Sequence, residues 1–600
     1  MFLNFGSINK TGRIRFLLVP RRNDMVDNVR STIFQIPTLT LWSDSCIYLI
    51  FTAHIYCMKK LWPLLLLFIA ACKQKEYDAD LLVKNAVVYT VDSAFTIANA
   101  FVVDNGKIVA VGDSNTLAEK YLVHEVVDAK GKAIYPGFID AHAHFLEYGL
   151  GLQQVNLKGL KSWQQVLDTV KAYAERNPEG WVIGNGWDQN LWADHKFPDK
   201  AKLDQLFPVR PVILNRVDGH GAIVNQAALN IAGIKPGQNI SGGEIETING
   251  KLTGILLDNA VGAVTRKVPD PSDTLIQNAL LSAQRNCMAV GLTTVDDCGL
   301  QYTIVNTISE LQHRGSLKMR MYVLLSDRPE NYDYLFKRGV FKTPGLDVRG
   351  FKVYADGALG SRGACLLKPY ADQANWNGFL RSSQKHFEDA AKMIAAKGFQ
   401  MATHAIGDSA NRVILKIYAK VLKGKNDRRW RIEHSQIVAP EDMKLFGEYN
   451  IIPSVQPTHA TSDMYWAGQR LGAQRLKSAY AYKQLLEQNG WLPLGTDFPV
   501  ENINPLYTFY AAVVRKDLKG FPAGGFQMEN ALTREQALRG MTIWAAKANF
   551  EEKEKGSIEV GKYADFVITD NDLMKAGEAE LPNIKVLKTY INGEKVYERN

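Results

Sequence analysis

Between residues 81 and 136 the chain runs in short β-branched stretches, Leu81-Leu82-Val83 and Val87-Val88-Tyr89 among them, broken by turn residues. An Asn105-Gly106 pair between Phe101-Val102-Val103 and Lys107-Ile108-Val109 predicts a two-residue hairpin. The C-terminal segment has the same texture, with Ala564–Ile568 and Thr589–Ile591 around Asn592-Gly593. Neither end holds enough strands to close alone, so residues 80–136 and 557–600 are expected to pair into one small β-sandwich domain. The middle alternates short apolar runs with amphipathic stretches, the pattern of parallel βα units. Eight runs read as strands: Ala133–His144, Thr293–Asp297, Met319–Leu325, Gly350–Asp356, Gln400–Ala405, Arg431–His434, Ile451–Gln456 and Leu492–Asp497. An α/β fold with a (β/α)8 TIM barrel over 137–556 follows, its chemistry at the C-terminal strand ends. The competing doubly wound sheet is disfavoured because no GxGxxG follows an early strand. The stretch 155–270, with strands at Trp181–Gly184 and Pro211–Asn215 and a third Asn249-Gly250 hairpin, is too long for one βα loop. It reads as an insertion over the barrel mouth.

The start of the chain has a different pattern. Met58–Cys72 places Lys59 and Lys60 before an apolar run that ends in Ile69-Ala70-Ala71-Cys72. Leu61–Ala71 is eleven residues, about half of the ~20 that a membrane-spanning helix needs. The layout is that of a cleaved lipoprotein signal peptide at 58–71, with Cys72 as the lipid-bearing first mature residue. Residues 1–57 then read as upstream sequence that is not part of the fold. The expected location is outside the cytoplasmic membrane of a bacterium, anchored to lipid and facing the periplasm or exterior. An uncleaved apolar start with a chance cysteine is the alternative.

Composition is that of a folded protein: 600 residues, 46% apolar and 22% charged. The net charge of +9 falls to +4 once the net +3 of residues 1–57 and the two charges of Lys59 and Lys60 are removed. That excess, without a Lys/Arg run, excludes a nucleic-acid groove and points to a small-molecule partner. Cys287, Cys298 and Cys365 have no CxxC spacing, so they are expected to pack as small buried residues.

The strongest chemical signal is Pro136–His144, PGFIDAHAH. Residues two apart on a strand share a face, so His142 and His144 present two imidazoles to one point. Lys352, His404, His434 and Asp497 each lie at the end of a predicted strand, where a barrel brings side chains to one mouth. A strand-end histidine also serves as a core or loop hydrogen-bonding group, and a strand-end Asp as a helix cap. Lys352 sits in so apolar a run that its ammonium is costly to bury unless paired or chemically altered. Carbamylation by carbon dioxide would make it an anionic oxygen ligand; pairing with Asp356 or exposure to solvent are the alternatives. His220 and His459 either polarise a substrate carbonyl or make loop hydrogen bonds. Trp181, Trp187, Trp192 and Phe197 in the insertion, with Tyr465 and Trp466, either receive an apolar substrate portion or pack internally.

Over residues 80–600 the chain resembles the amidohydrolase superfamily of metal-dependent hydrolases, in the branch of N-substituted formamide deformylases. The resemblance is carried by PGFIDAHAHF, then KVYADGALGSR, THAIGDSANR, RIEHSQ, SVQPTHA and LGTDFPV in order, with PVILNRVDGHGAIVNQAAL inside the insertion. It implies two divalent metal ions, zinc first, with His142 and His144 on one ion and Asp497 near it. His404 and His434 would hold the other, and carbamylated Lys352 would bridge them. The implied activity is hydrolysis of a non-peptide carbon–nitrogen bond, with Asp497 moving the proton and His220 or His459 on the carbonyl. Esters, lactones and N-acyl amino acids remain open as substrates, as do deamination and isomerisation. A metal-free lipid-anchored solute receptor would leave those residues idle.

Overall fold

The computed structural model describes residues 77–600; the expected upstream segment 1–57, signal 58–71 and Cys72 lie outside the described residues. Seven parallel strands run side by side in chain order. They are β1 (Phe138–Ala143), β2 (Leu292–Leu300), β3 (Arg320–Ser326), β4 (Leu346–Tyr354), β5 (Gln400–Ala405), β6 (Arg431–His434) and β7 (Ile452–Ser454). β1, β5, β6 and β7 are buried at every position and the others at nearly every one. This explains their near-continuous apolar runs: helices cover the outside and side chains fill the inside. The Asp273–Ala289 helix is one such cover, started by the Ser272 side chain accepting from the Leu275 N–H and burying Ile276, Ala279, Leu280, Ala283 and Cys287.

Two sequence expectations change here. The run Ala133–His144 is two strands: Ala133–Pro136 joins the β-domain and β1 starts the barrel. The chain crosses between sheets at Gly137, where a Cβ would lie 2.3 Å from the Thr293 hydroxyl, so only glycine fits. The eighth expected strand, Leu492–Asp497, makes only a single parallel bridge, Val455 to Leu494. It closes the seam by other means. The Ala141 N–H donates to the Leu494 carbonyl (3.2 Å) and the Asp497 N–H to the His142 carbonyl (2.7 Å). The Asp140 carboxylate accepts from the Thr496 N–H (2.9 Å) and hydroxyl (2.6 Å). Asp497 itself has φ +62°, which turns the chain out of extended geometry and ends any ladder.

Both chain ends build the β-domain. Phe566–Thr569 pairs antiparallel with Ala133–Pro136 in a six-stranded sheet, and a four-stranded sheet of Tyr77–Lys84, Ala100–Asp104, Lys107–Gly112 and Tyr121–Asp128 packs on it. Phe101 meets Phe566 edge-on, ring centres 5.0 Å apart, and Phe566 stacks on Tyr590. At the three Asn-Gly pairs, positions 105–106, 249–250 and 592–593, both residues have positive φ, the geometry of a two-residue primed turn. The insertion forms its own six-stranded sheet over Val155–Asp258. Its aromatics go inward: Trp187 and Trp192 are buried, Phe197 packs on them, and Trp181 packs on the sheet's other face. Those four therefore fill the insertion's core and do not receive substrate. Among the described residues no helix is long and apolar enough to cross a membrane, and Cys287, Cys298 and Cys365 are free thiols.

The barrel and β-domain are joined by a buried ion pair between Arg320 of β3 and Asp565, Nε to Oδ2 at 2.6 Å and Nη2 to Oδ1 at 3.0 Å. Burial alone would raise the Asp565 carboxyl, but Arg320 outweighs it and holds the group below its ordinary value. Asp565→Asn leaves the guanidinium uncompensated and is expected to cost about 3–5 kcal/mol in denaturant unfolding. The wild-type advantage is full at neutral pH and disappears as pH falls through the lowered carboxyl pKa.

Candidate metal centre

The C-terminal ends of β1, β4, β5 and β6 and the 494–497 segment bring all six expected ligand residues together. His142 Nε2 lies 3.5 Å and His144 Nε2 3.3 Å from Asp497 Oδ1, and His434 Nδ1 lies 4.0 Å from Asp497 Oδ2. His404 meets His434 at 4.5 Å between ring centres, and His434 meets His142 at 4.9 Å. Lys352 is buried with its Nζ 3.2 Å from His142 Nε2, so it does not face solvent. Asp356 is occupied elsewhere: its carboxylate accepts from the N–H groups of Cys365 (2.8 Å), Ile406 (3.0 Å) and Gly407 (2.8 Å). This fixes the loop after β5 beside His404.

The donors suit a metal. Burial, with neighbouring positive groups, pushes His404 and His434 well below the usual imidazole range, and burial with Lys352 takes His142 to about 4. All three are neutral at pH 7, the form that ligates. Burial would raise Asp497, but His142, His144 and His459 hold it well below the carboxylate range. His404 Nε2 and Asp497 Oδ1 are buried without any hydrogen-bond partner. Unsatisfied buried polar atoms are costly, and a cation among them removes that cost. Ligand atoms of His142, His434 and Asp497 lie within 4.8 Å of one another.

Several contributors are absent from the sequence reading. Glu433 Oε2 is 2.6 Å from His142 Nδ1 and, despite burial, is held at about 2, chiefly by His142. It fixes the ring with Nε2 toward the centre. Neighbours on a strand point to opposite faces, which argues against Glu433 and His434 serving one site. The backbone escapes that rule because His434 and Ser435 have φ +73° and +42°. Gln456 holds His434 Nδ1 at 2.7 Å. His459 lies between Asp497 (Nε2 to Oδ2, 3.1 Å) and Glu501 (Nδ1 to Oε1, 3.1 Å). Burial opposes its charge, but the two carboxylates raise it to about 10, so both N–H groups are engaged. His220, at the start of an insertion strand, stands 4.8 Å ring to ring from His404.

Beside these residues opens a cavity of about 890 Å³, walled by barrel and insertion. Its far wall is charged: Arg216 is paired with Asp188 and Asp218, while Arg362 and Arg470 share Asp372. Tyr465 and Trp466 supply its main aromatic surface. A polar cavity beside clustered imidazoles and a carboxylate is suited to hydrolytic chemistry on a small molecule.

The profile of the amidohydrolase family matches residues 125–597. The chain belongs to that family. It is 34% identical to Protein LONG AFTER FAR-RED 3 of Arabidopsis thaliana, over 86% of this chain and 92% of that one. It is 27% identical to the N-substituted formamide deformylase of Arthrobacter pascens, over 87% of this chain and 98% of that one. The crystal structure of a metal-dependent hydrolase from Pyrococcus horikoshii OT3 superposes with a TM-score of 0.68 at 26% identity, covering 83% of this chain and 99% of the other. The amidohydrolase fold, its metal-dependent chemistry and its α/β barrel thus agree with the geometry of the centre.

Glu433→Gln keeps the shape and removes the charge behind His142. Metal affinity, measured by competition with a chelator, is expected to fall about 10–100-fold, with the fold retained in circular dichroism.

Proposed function

We propose that this amidohydrolase cleaves the carbon–nitrogen bond of a non-peptide amide, with N-substituted formamides as the first candidates. The observation that carries this reading is the convergence of His142, His144 and His434 on one buried carboxylate, Asp497, whose Oδ1 has no hydrogen-bond partner, with His404 against His434 and Lys352 against His142. His142 and His144 would hold one divalent ion and His404 and His434 a second, with Lys352 between them once carbon dioxide has converted its amine to a carbamate with loss of a proton. Bound there, zinc or a similar ion supplies Lewis acidity and lowers the pKa of water. Asp497 accepts a proton from the attacking water and returns it to the departing amine nitrogen. Its partner His459 orients it, since both ring N–H groups face carboxylates. His220 is the histidine left to meet the substrate carbonyl. Tyr465 and Trp466 offer the N-substituent an aromatic wall. The kinship with the Arthrobacter pascens deformylase supports the choice of formamides.

The deciding experiment combines metal analysis with a panel of N-formyl and N-acyl amines. Amine and formate are the expected products; ammonia would mean deamination, and neither would mean isomerisation. Lys352→Ala is expected to lose bound metal. Asp497→Asn, assayed as its metal-loaded fraction, is expected to lose activity about 10²–10⁴-fold; an undiminished rate overturns the role given to Asp497.

Export as a lipid-anchored protein through Cys72 also belongs to this reading, supported by the Met58–Cys72 pattern. Cys72→Ser is expected to abolish incorporation of labelled palmitate and release the protein from membranes.

A further inference from the structure

Asp258 has a backbone that an L-residue adopts only under constraint. It ends the insertion strand Lys251–Asp258 at φ +50°, ψ −119°, a region that belongs to glycine. Such geometry persists only where surrounding contacts over-determine it, and here they converge on His220. The Asp258 N–H donates to the His220 carbonyl (2.7 Å), and Asp258 Oδ1 lies 2.6 Å from His220 Nδ1. The antiparallel register sets this up, because Gly221 pairs with Leu257 and so carries His220 opposite Asp258.

The barrel side is shaped around the same carboxylate. A Cβ on Gly357 would come within 2.3 Å of Asp258 Oδ2, and one on Gly363 within 2.5 Å. The loop after β4 thus has glycines where the insertion's carboxylate presses into it. The Asp258 side chain is fully buried, and Oδ2 has no hydrogen-bond partner. Arg381 Nε is 3.8 Å from Oδ1, too far for a direct hydrogen bond. One short hydrogen bond to an imidazole is therefore the principal side-chain contact of a strained, buried carboxylate. That imidazole lines the cavity beside His404.

We propose that Asp258 is a positioning residue for the reaction: it holds the proton of His220 on Nδ1 and turns the ring so that Nε2 is the nitrogen left to meet substrate. This rests on the amide-hydrolase reading for what His220 does, but not for where its proton sits. The insertion then contributes a working side chain to the centre, and the glycines at 357 and 363 make room for its support. The logic is that of a histidine oriented by a buried carboxylate, where the acceptor behind one ring nitrogen decides what the other presents.

Three substitutions and one spectroscopic measurement test the proposal on the full chain. In ¹⁵N-histidine-labelled wild type, with His220→Asn identifying the signal, Nδ1 is expected to carry a strongly hydrogen-bonded proton and Nε2 none. Asp258→Asn offers an amide N–H to Nδ1 and is expected to move the proton to Nε2. It should also lower kcat about 10²–10⁴-fold on any panel amide the wild type cleaves, with bound metal unchanged. Asp258→Gly suits the backbone, so its Tm should equal or exceed that of wild type while kcat falls as far. A merely structural Asp258 would give the opposite pair, a lowered Tm with an undiminished rate per folded molecule, and would overturn the proposal. So would a wild-type His220 protonated on Nε2 alone. The proton map and the melting curve need no substrate; if no amide is cleaved, the functional reading fails and the proton map alone decides this one.

Discussion

A barrel of parallel strands must close its last seam, and in this protein the closing segment carries the carboxylate around which the centre is arranged. Residues 494–497 sit between β7 and β1 without extending the ladder. Asp140 adds two bonds to Thr496 beside the few backbone bonds of the seam, and the left-handed backbone of Asp497 then directs its carboxylate among His142, His144, His434 and His459. Closing the fold and placing the carboxylate are one event. A regular eighth strand would have satisfied the backbone and aimed the side chain along the ordinary pleat.

The second layer of the site is made of groups that do not touch the reaction but set the groups that do. Glu433 stands behind His142, Gln456 behind His434, Glu501 behind His459 and Asp258 behind His220. In each case the partner occupies Nδ1, and for His142 and His459 this leaves Nε2 facing Asp497. Fixed tautomers matter in a buried site because an imidazole in the wrong form offers a donor where a lone pair is needed. The insertion takes part through His220 and Asp258, and its charged wall of Arg216, Asp188 and Asp218 makes the cavity more polar than its tryptophan content suggests.

Much of this was legible in the residues alone. The alternation of apolar runs and amphipathic stretches indicated a barrel, three Asn-Gly pairs located hairpins, and six strand-end side chains indicated the centre. What the residues alone left out has specific causes. Glu433 was hidden by the rule of alternating strand faces, which fails where His434 takes positive φ. Trp187, Trp192 and Phe197 were open to a substrate role or a packing role because aromatic content carries no direction; they lie in the core of the insertion, with the Trp163–Arg176 helix. The run 133–144 read as one strand because hydrophobicity does not reveal the change of sheet at Gly137, whose need for glycine comes from Thr293, more than 150 positions away.

Local pattern was sufficient for the order of elements, the hairpins and the chemical types at the strand ends, since periodicity, turn propensity and side-chain chemistry act over a few neighbouring residues. The seam closed without an eighth strand, the partner behind each imidazole and the direction of the aromatics depended on contacts between distant segments. Asp258 and His220 are 38 positions apart, and His142 and Glu433 are 291 apart. A hydrogen bond across such distances exists only once the backbone has folded, and no short-range propensity encodes it.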